Sequence, residues 1–349
     1  MVEDAKTGLK GRQVEPATGE LALIQYIRER AARNVAVRGS STKLGIGDDC
    51  AILSVRAAED LVVTTDLSLE GRHFRREWHS AESIGHRTLA RGLSDVAAMG
   101  ARPIAAFLSL ALPGMVARDA RWVRGFLDGL LGLAKMHGVP LAGGDTSEAP
   151  SDGVIADIMV LGAAPKGRAL RRSTAGVGDI LYCTGALGGA EAELGQLAAE
   201  PGRFRRAKAG GAHPHLFPEV RLGVGQILLR RRLATACIDM SDGLSTDLAH
   251  LCEASGVGAE IETRALPLHF LAQNLEPTAR MHAALHGGED YELLFTAKKE
   301  TRMPKKIGGV AITAVGRIVA RTRKAQVVLV DAEGRRTPLE PRGWEHFRG

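Results

Sequence analysis

The chain has 349 residues, 45% apolar and only 4% aromatic, with 46 Lys and Arg against 40 Asp and Glu. Two ordinary domains or one large one fit that length, the apolar share excludes wholesale disorder, and scarce aromatics argue against base-stacking surfaces. The net charge of +6 is scattered over residues such as Arg72, Arg75, Arg76, Arg203, Arg205, Arg206 and Arg230 to Arg232. No nucleic-acid module surrounds them, so no nucleic-acid partner is expected. There is no apolar run of about 20 residues to span a membrane and no apolar signal core, so a cytoplasmic location is expected. The 42 glycines lack a three-residue period, so collagen is excluded. Cys50, Cys183, Cys237 and Cys252 form no CxxC or Cys/His cluster and are expected to be buried, reduced thiols.

In chain order, residues 1–19 read as a flexible tail and 20–33 as a short amphipathic helix. The run KLGIGDDCAILSV is apolar but broken by two aspartates, and LVVTTD at 61–66 is a strand ending on an acid. Ser80 caps a helix that Gly100 stops; a strand over 104–112, a helix over 119–137 and a strand over 154–161 follow. The small-residue stretch 162–179 marks a boundary between domains at 20–163 and 164–349. Beyond it come a strand in ILYCTG, a helix over 187–199, an aperiodic excursion over 200–217, a helix over 219–232, a strand in TACIDM and a helix over 243–255. GVGAEIETRALP reads as a strand, HGGEDYELLFTAKK as a turn feeding a strand, and the end as a strand and a hairpin. Alternating helices and strands in both halves give an α/β or α+β class with two lobes.

The unusual feature is the placing of acids. Asp48 and Asp49 follow LGIG, Asp66 follows LVVTT, Asp145 follows LAGG, Asp239 and Asp242 lie in CIDMSDG, and Glu289 and Asp290 follow HGG. Acids ending buried strands sit where loops build clefts, and several converging acids repel unless cations neutralise them. Hard oxygen ligands in that number suit Mg²⁺. Taken singly, each reads first as an aspartate capping its own turn, and it is their number that points to metal. Asp95 lies within the helix after Ser80, four residues beyond Arg91; it is either one half of an i,i+4 pair or an acid aimed into the cleft. GIG, AGG and SDG offer backbone N–H groups to anions, although GxxxxGK[ST], GxGxxG in a strand–turn–helix setting, kinase HRD and DFG, GxSxG and HExxH are all missing. Arg172 at the junction is either a phosphate partner or a solvated arginine, and His73 either orients a polar substrate or is structural.

Together and in order, LGIGDDCAIL, TTDLSLEGRHF, LARGLSDVAAMGARP, LAGGDTS, the junction RRS, IDMSDGLSTDL, GGEDYELLFT and GWEHF resemble the thiamine-monophosphate kinases. That family shares a superfamily with AIR synthetase, selenophosphate synthetase and the HypE-type hydrogenase-maturation proteins. The resemblance implies a two-domain AIR synthetase-like fold, a homodimer joined through N-terminal sheets in a barrel-like interface, and a site between the domains. It implies ATP-dependent phosphorylation of thiamine monophosphate to thiamine diphosphate by direct in-line transfer, with several Mg²⁺ ions. Carried onto this chain, Asp49, Thr64, Thr65, Asp66, Asp95, Asp145, Asp239 and Asp242 are the implied metal ligands. Gly144, Asp145, Arg172 and Ser241 are the implied ATP contacts, and His73, Glu289 and Trp344 the implied contacts to thiamine monophosphate. No general base is assigned, because a phosphate monoester is already a nucleophile. Another acceptor within the superfamily, such as an aminoimidazole precursor or selenide, and a non-catalytic nucleotide-binding protein are the rival readings.

Overall fold

The computed structural model describes residues 20–34, 41–46, 50–210, 212–322 and 326–344. The tail 1–19, Asp48 and Asp49 lie outside them. The first lobe runs α1 (Glu20–Asn34), β1 (Thr42–Leu44), β2 (Ile52–Leu53), β3 (Glu59–Leu69), α2 (Ala81–Ala98), β4 (Arg102–Leu112), α3 (Gly114–Ala117), α4 (Ala120–Met136), β5 (Leu141–Glu148) and β6 (Ile155–Pro165). The second runs β7 (Ile180–Thr184), α5 (Gly189–Ala199), α6 (Leu222–Arg230), β8 (Ala236–Asp239), α7 (Leu244–Ser255) and β9 (Val257–Glu262). It continues with α8 (Phe270–Gln273), α9 (Pro277–His286), β10 (Leu293–Ala297), β11 (Lys306–Ile307), β12 (Val310–Ala320), β13 (Val327–Val330) and β14 (Arg336–Pro338).

The first lobe is a four-stranded sheet in the order β3-β6-β4-β5, with β4 and β5 parallel and the other pairs antiparallel. Alternation sends Ala156, Ile158 and Val160 of β6 inward, where α2 lies on them: a Cβ at Gly92 would come within 2.7 Å of Val160. Helices α2 and α4 pack unusually close because each presents a glycine to the other's backbone. A Cβ at Gly85 would fall 1.9 Å from the Phe126 carbonyl oxygen, and one at Gly129 only 1.8 Å from that of Glu82. Ser80 caps α2 by accepting the Ser83 N–H at 3.1 Å, and Asp119 caps α4 through the N–H groups of Arg121 and Trp122. The opposite face of the sheet is open, and Leu61, Val63, Leu67 and Met159 stand exposed on it.

The second lobe is an eight-stranded sheet ordered β14-β13-β9-β12-β7-β10-β8, with β11 added to β12. All pairs are antiparallel except β13 with β9. One core cluster crosses between lobes, joining Leu89 and Leu93 of α2 to Leu228 of α6, Cys237 and Phe295; a second, around Leu181, Leu248 and Leu294, fills the C-terminal lobe. Among the described residues no helix is long and apolar enough to cross a membrane.

Three readings need correction. Neither Asp66 nor Asp145 ends its strand: β3 runs on to Leu69 in register with β6, and β5 continues through Asp145 to Glu148 because parallel pairing with β4 runs to Leu112. The excursion over 200–217 is not exposed throughout: Leu216 and Phe217 are buried against Leu197 and Trp78, and His215 is buried too. Cys50 is exposed; the three other free thiols are buried, and burial pushes that of Cys252 up to about 12.

Candidate active site

A cavity of about 330 Å³ opens between the lobes. Strand β3 brings Asp66 to it, α2 brings Arg91 and Asp95, the end of β8 and the following loop bring Asp239, Ser241 and Asp242, and the GGEDY turn brings Glu289 and Tyr291. His73 and Arg72 enter from the loop after β3, His215 from the segment before α6, and Trp344 from the chain's end. Helix α2 is the spine of the site: Arg87, Arg91 and Asp95 recur every fourth residue, and the buried Ser94 hydroxyl donates to Asp239 at 2.6 Å, tying the two lobes together.

The four aspartates form one end of the cavity. Burial raises Asp66 to about 7, helped by repulsion from Asp95, and burial with repulsion from Asp95 raises Asp239 to about 7 as well. Burial also raises Asp95, against the Thr64 hydroxyl that donates to it. The adjacent Asp247, absent from the sequence reading, is raised well above the ordinary range by burial and by Asp239 and Asp242; it accepts the Asp242 N–H at 3.1 Å. Among the described residues no three metal-binding side chains already converge on one point. The donor chemistry nevertheless fits a hard divalent cation: carboxylates that resist sharing a dry site without protons are groups that a cation lets ionise.

The other end is built differently. Glu289 and Tyr291 both sit in the left-handed backbone region, with φ of 67° and 49°. Their turn is stitched to the β8 loop by Glu289 N–H on Ser241 O at 2.8 Å and Tyr291 N–H on Met240 O at 3.0 Å. A Cβ at Gly288 would lie 2.7 Å from the Ser241 carbonyl oxygen, so this close approach requires glycine. Burial works against the Glu289 carboxylate, yet Arg87 and His215 outweigh it and hold the group well below its ordinary value. His73 Nδ1 accepts the Leu69 N–H at 2.9 Å, which places the ring proton on Nε2. The Trp344 backbone N–H donates to Asp242 O at 3.1 Å, holding this segment against the β8 loop at the cavity, and the residue stays 47% exposed.

Of the residues singled out in the sequence, Asp66, Asp95, Asp239, Ser241, Asp242, His73, Glu289 and Trp344 share the cavity, and Thr64 reaches it through Asp95. Asp49 lies outside the described residues. Thr65 faces the other side of β3, on the open sheet face. Gly144 and Asp145 line a separate cavity of about 90 Å³ beneath Ile24 and Ile27 of α1. Arg172 is exposed at the junction, with its charge felt at Asp95. Arg91 is not a simple partner of Asp95: its guanidinium lies 3.7 Å from Asp66 and 3.6 Å from Glu289, between the two ends. Arg87, Arg91, His215 and Tyr291 were not recognised. The four-residue spacing of Arg87, Arg91 and Asp95 along α2 is the signal that finds the two arginines.

The fold is that of the AIR synthase-related proteins: the N-terminal domain model of that family matches residues 47–164 and the C-terminal domain model residues 176–328. Within that class, the thiamine-monophosphate kinase of Escherichia coli K12 is 36% identical over 342 residues, covering 95% of this chain and 99% of that protein. The Bacillus subtilis enzyme is 33% identical over 335 residues, covering 94% and 99%. The chain belongs to the thiamine-monophosphate kinase family. Among solved structures, the thiamine-monophosphate kinase of Stenotrophomonas maltophilia K279a superimposes with a TM-score of 0.77 at 35% identity, over 89% of this chain and 96% of that one. AaThiL complexed with AMPPCP and TMP superimposes with a TM-score of 0.70 at 29% identity, over 94% and 97%.

Proposed function

We propose that this chain transfers the γ-phosphoryl group of ATP to the phosphate of thiamine monophosphate, giving thiamine diphosphate, in the cytoplasm. The observation that carries this reading is the one cavity that gathers the aspartates and, across Arg91 from Asp66, Glu289, with His73 and Trp344 also on its wall. Asp66, Asp95, Asp239 and Asp242 would hold Mg²⁺, with Thr64 orienting Asp95 and Asp49 and Asp145 completing the set; Thr65, whose side chain faces the open side of the sheet, would contribute only through its backbone oxygen. Bound Mg²⁺ neutralises the phosphates and the charge that develops during transfer. Ser241, Gly144, Asp145 and Arg172 would meet ATP. Trp344 offers a flat face to a cationic heterocycle. His73 Nε2–H can donate to the acceptor, and the ionised Glu289 can accept from its amine.

The acceptor's phosphate oxygen is already anionic, so no side chain has to remove a proton before attack. The task left to the protein is to bring two polyanions into line. Arg91, standing between the acids and Glu289, keeps a positive charge where the two phosphates meet. The open apolar sheet face of Leu61, Val63, Leu67 and Met159 supports a homodimer joined through the first lobe. Light scattering then reads a dimer for the native chain and a monomer for Val63→Lys.

The deciding assay supplies ATP, Mg²⁺ and thiamine monophosphate and follows thiamine diphosphate and ADP together, with free thiamine as control. Equal amounts of both products, formed only with the monophosphate, are expected. ADP formed with another superfamily acceptor, and none with this one, replaces the proposal with that acceptor.

A further inference from the structure

Arg87 lies beneath the cavity, its side chain only 5% exposed, and bonds three separate segments at once. One terminal nitrogen donates to Glu289 Oε1 at 2.7 Å and to the His73 carbonyl oxygen at 2.9 Å; the other donates to the carbonyl oxygen of His215. His215 arrives from a segment that the buried Glu193 fastens, accepting its N–H at 2.8 Å and that of Leu216 at 3.2 Å.

The His215 ring is itself enclosed. Its Nδ1 lies 3.2 Å from Glu289 Oε2 and 3.2 Å from the Arg87 guanidinium, and its Nε2 lies 3.0 Å from Nε2 of His79. A guanidinium only donates and a carboxylate only accepts, so Nδ1 serves one or the other. If it donates to Glu289, Nε2 accepts from His79, whose Nδ1 accepts the Arg75 N–H at 3.3 Å. If it accepts from Arg87, the chain reverses and His79 donates to the Arg75 carbonyl at 3.1 Å. Both arrangements close with neutral rings. Arg87 is therefore the hydrogen-bonded counter-charge, with Arg91 at 3.6 Å, and the neutral His215 ring walls in the second carboxylate oxygen at 3.2 Å.

We propose that Arg87 and His215 are positioning residues for the acceptor, clamping the Glu289 carboxylate from beneath while Arg87 also fixes the His73 loop. The clamp deepens the functional reading above and rests on Glu289 meeting the amine-bearing or cationic heterocycle of thiamine monophosphate. It gives the segment around His215, outside both sheets, control of acceptor affinity without contact with ATP.

The test is steady-state kinetics on the full chain with Arg87→Met, Arg87→Lys and His215→Gln, with folding checked by thermal melting. Arg87→Met and His215→Gln are expected to raise KM for thiamine monophosphate 10- to 100-fold, leaving KM for ATP within twofold and kcat within threefold. Arg87→Lys, which keeps the charge, recovers most of the loss. Unchanged acceptor KM in a folded variant overturns the clamp, as does an equal loss in kcat and both KM values. If Arg87→Met does not fold, His215→Gln decides alone. Native protein that makes no thiamine diphosphate fails at the functional reading, before any variant is compared, and removes the acceptor role with it.

Discussion

The two ends of the cavity use the same functional group to opposite effect. At the acid end, Asp66 and Asp239 are buried together and pushed up to about 7; at the other, the carboxylate of Glu289 is held well below its ordinary value. Burial penalises all three. The difference is the counter-charge: Arg87 is hydrogen-bonded directly to Glu289, whereas Arg91 stands 3.7 Å from Asp66, too far for a hydrogen bond. One end is complete within the chain, and the other is completed by what binds there.

Neutralising an acid at the unfinished end separates activity from stability most sharply. Asp239→Asn is expected to lower kcat by about 10³-fold or more, on the scale of removing a preorganised charge-stabilising group. The same change removes a repelling charge, so without Mg²⁺ the variant melts above the native chain. Full activity in Asp239→Asn would falsify the metal role of this residue.

The finished end responds the other way. Arg87→Met leaves a buried carboxylate without its partner, and breaking such a pair costs about 3–5 kcal/mol. Denaturant unfolding without Mg²⁺ should show this loss beside the gain in Asp239→Asn. Mg²⁺ itself gives a smaller contrast: at about 100 times its dissociation constant it stabilises the native chain by about 2.7 kcal/mol, through binding to the folded state alone. Thermal melts should show that shift in the native chain and in Glu289→Gln, and a diminished one in Asp239→Asn. Equal shifts in all three place the ion elsewhere.

The acid end was legible in sequence because its signal is local: Asp66 follows the strand-like LVVTT and Asp239 and Asp242 lie in CIDMSDG, acids set in or just past apolar runs, although only Asp239 ends its strand and β3 runs on past Asp66 to Leu69. Asp95 carried only helix spacing, and pairing with Arg91 was an equally good reading until Thr64 and Asp239 came into place around it. The clamp at Glu289 had no local mark. Arg87 and His215 are 128 positions apart, and His215 sits in a stretch with no period to follow. Its one clue is the Leu216-Phe217 pair, two large apolar residues that a solvated excursion has no reason to carry. The alternation of elements gave the class of fold, while strand order and the continuation of β5 through Asp145 depend on pairing partners distant in the chain.

A last contrast uses a group belonging to neither end. His86 lies on α2, with Nε2 2.9 Å from the Pro218 carbonyl oxygen and its ring edge-on to Phe217 at 5.3 Å. Burial lowers its pKa from 6.5 to about 4, so in the folded chain it stays neutral where the unfolded chain takes up a proton. Stability is then highest above pH 6.5, falls as the pH drops toward 4 and levels off below. Between pH 7.5 and 5.5 this one ring accounts for a loss of about 1.3 kcal/mol. Urea unfolding at the two pH values should show His86→Gln, whose amide can still donate to Pro218, losing less than the native chain by about that amount. The acceptor KM should not move, because the ring holds the buried segment near Phe217 without touching Glu289. Movement of that KM in His86→Gln would extend the clamp from Arg87 and His215 to the packing beneath them.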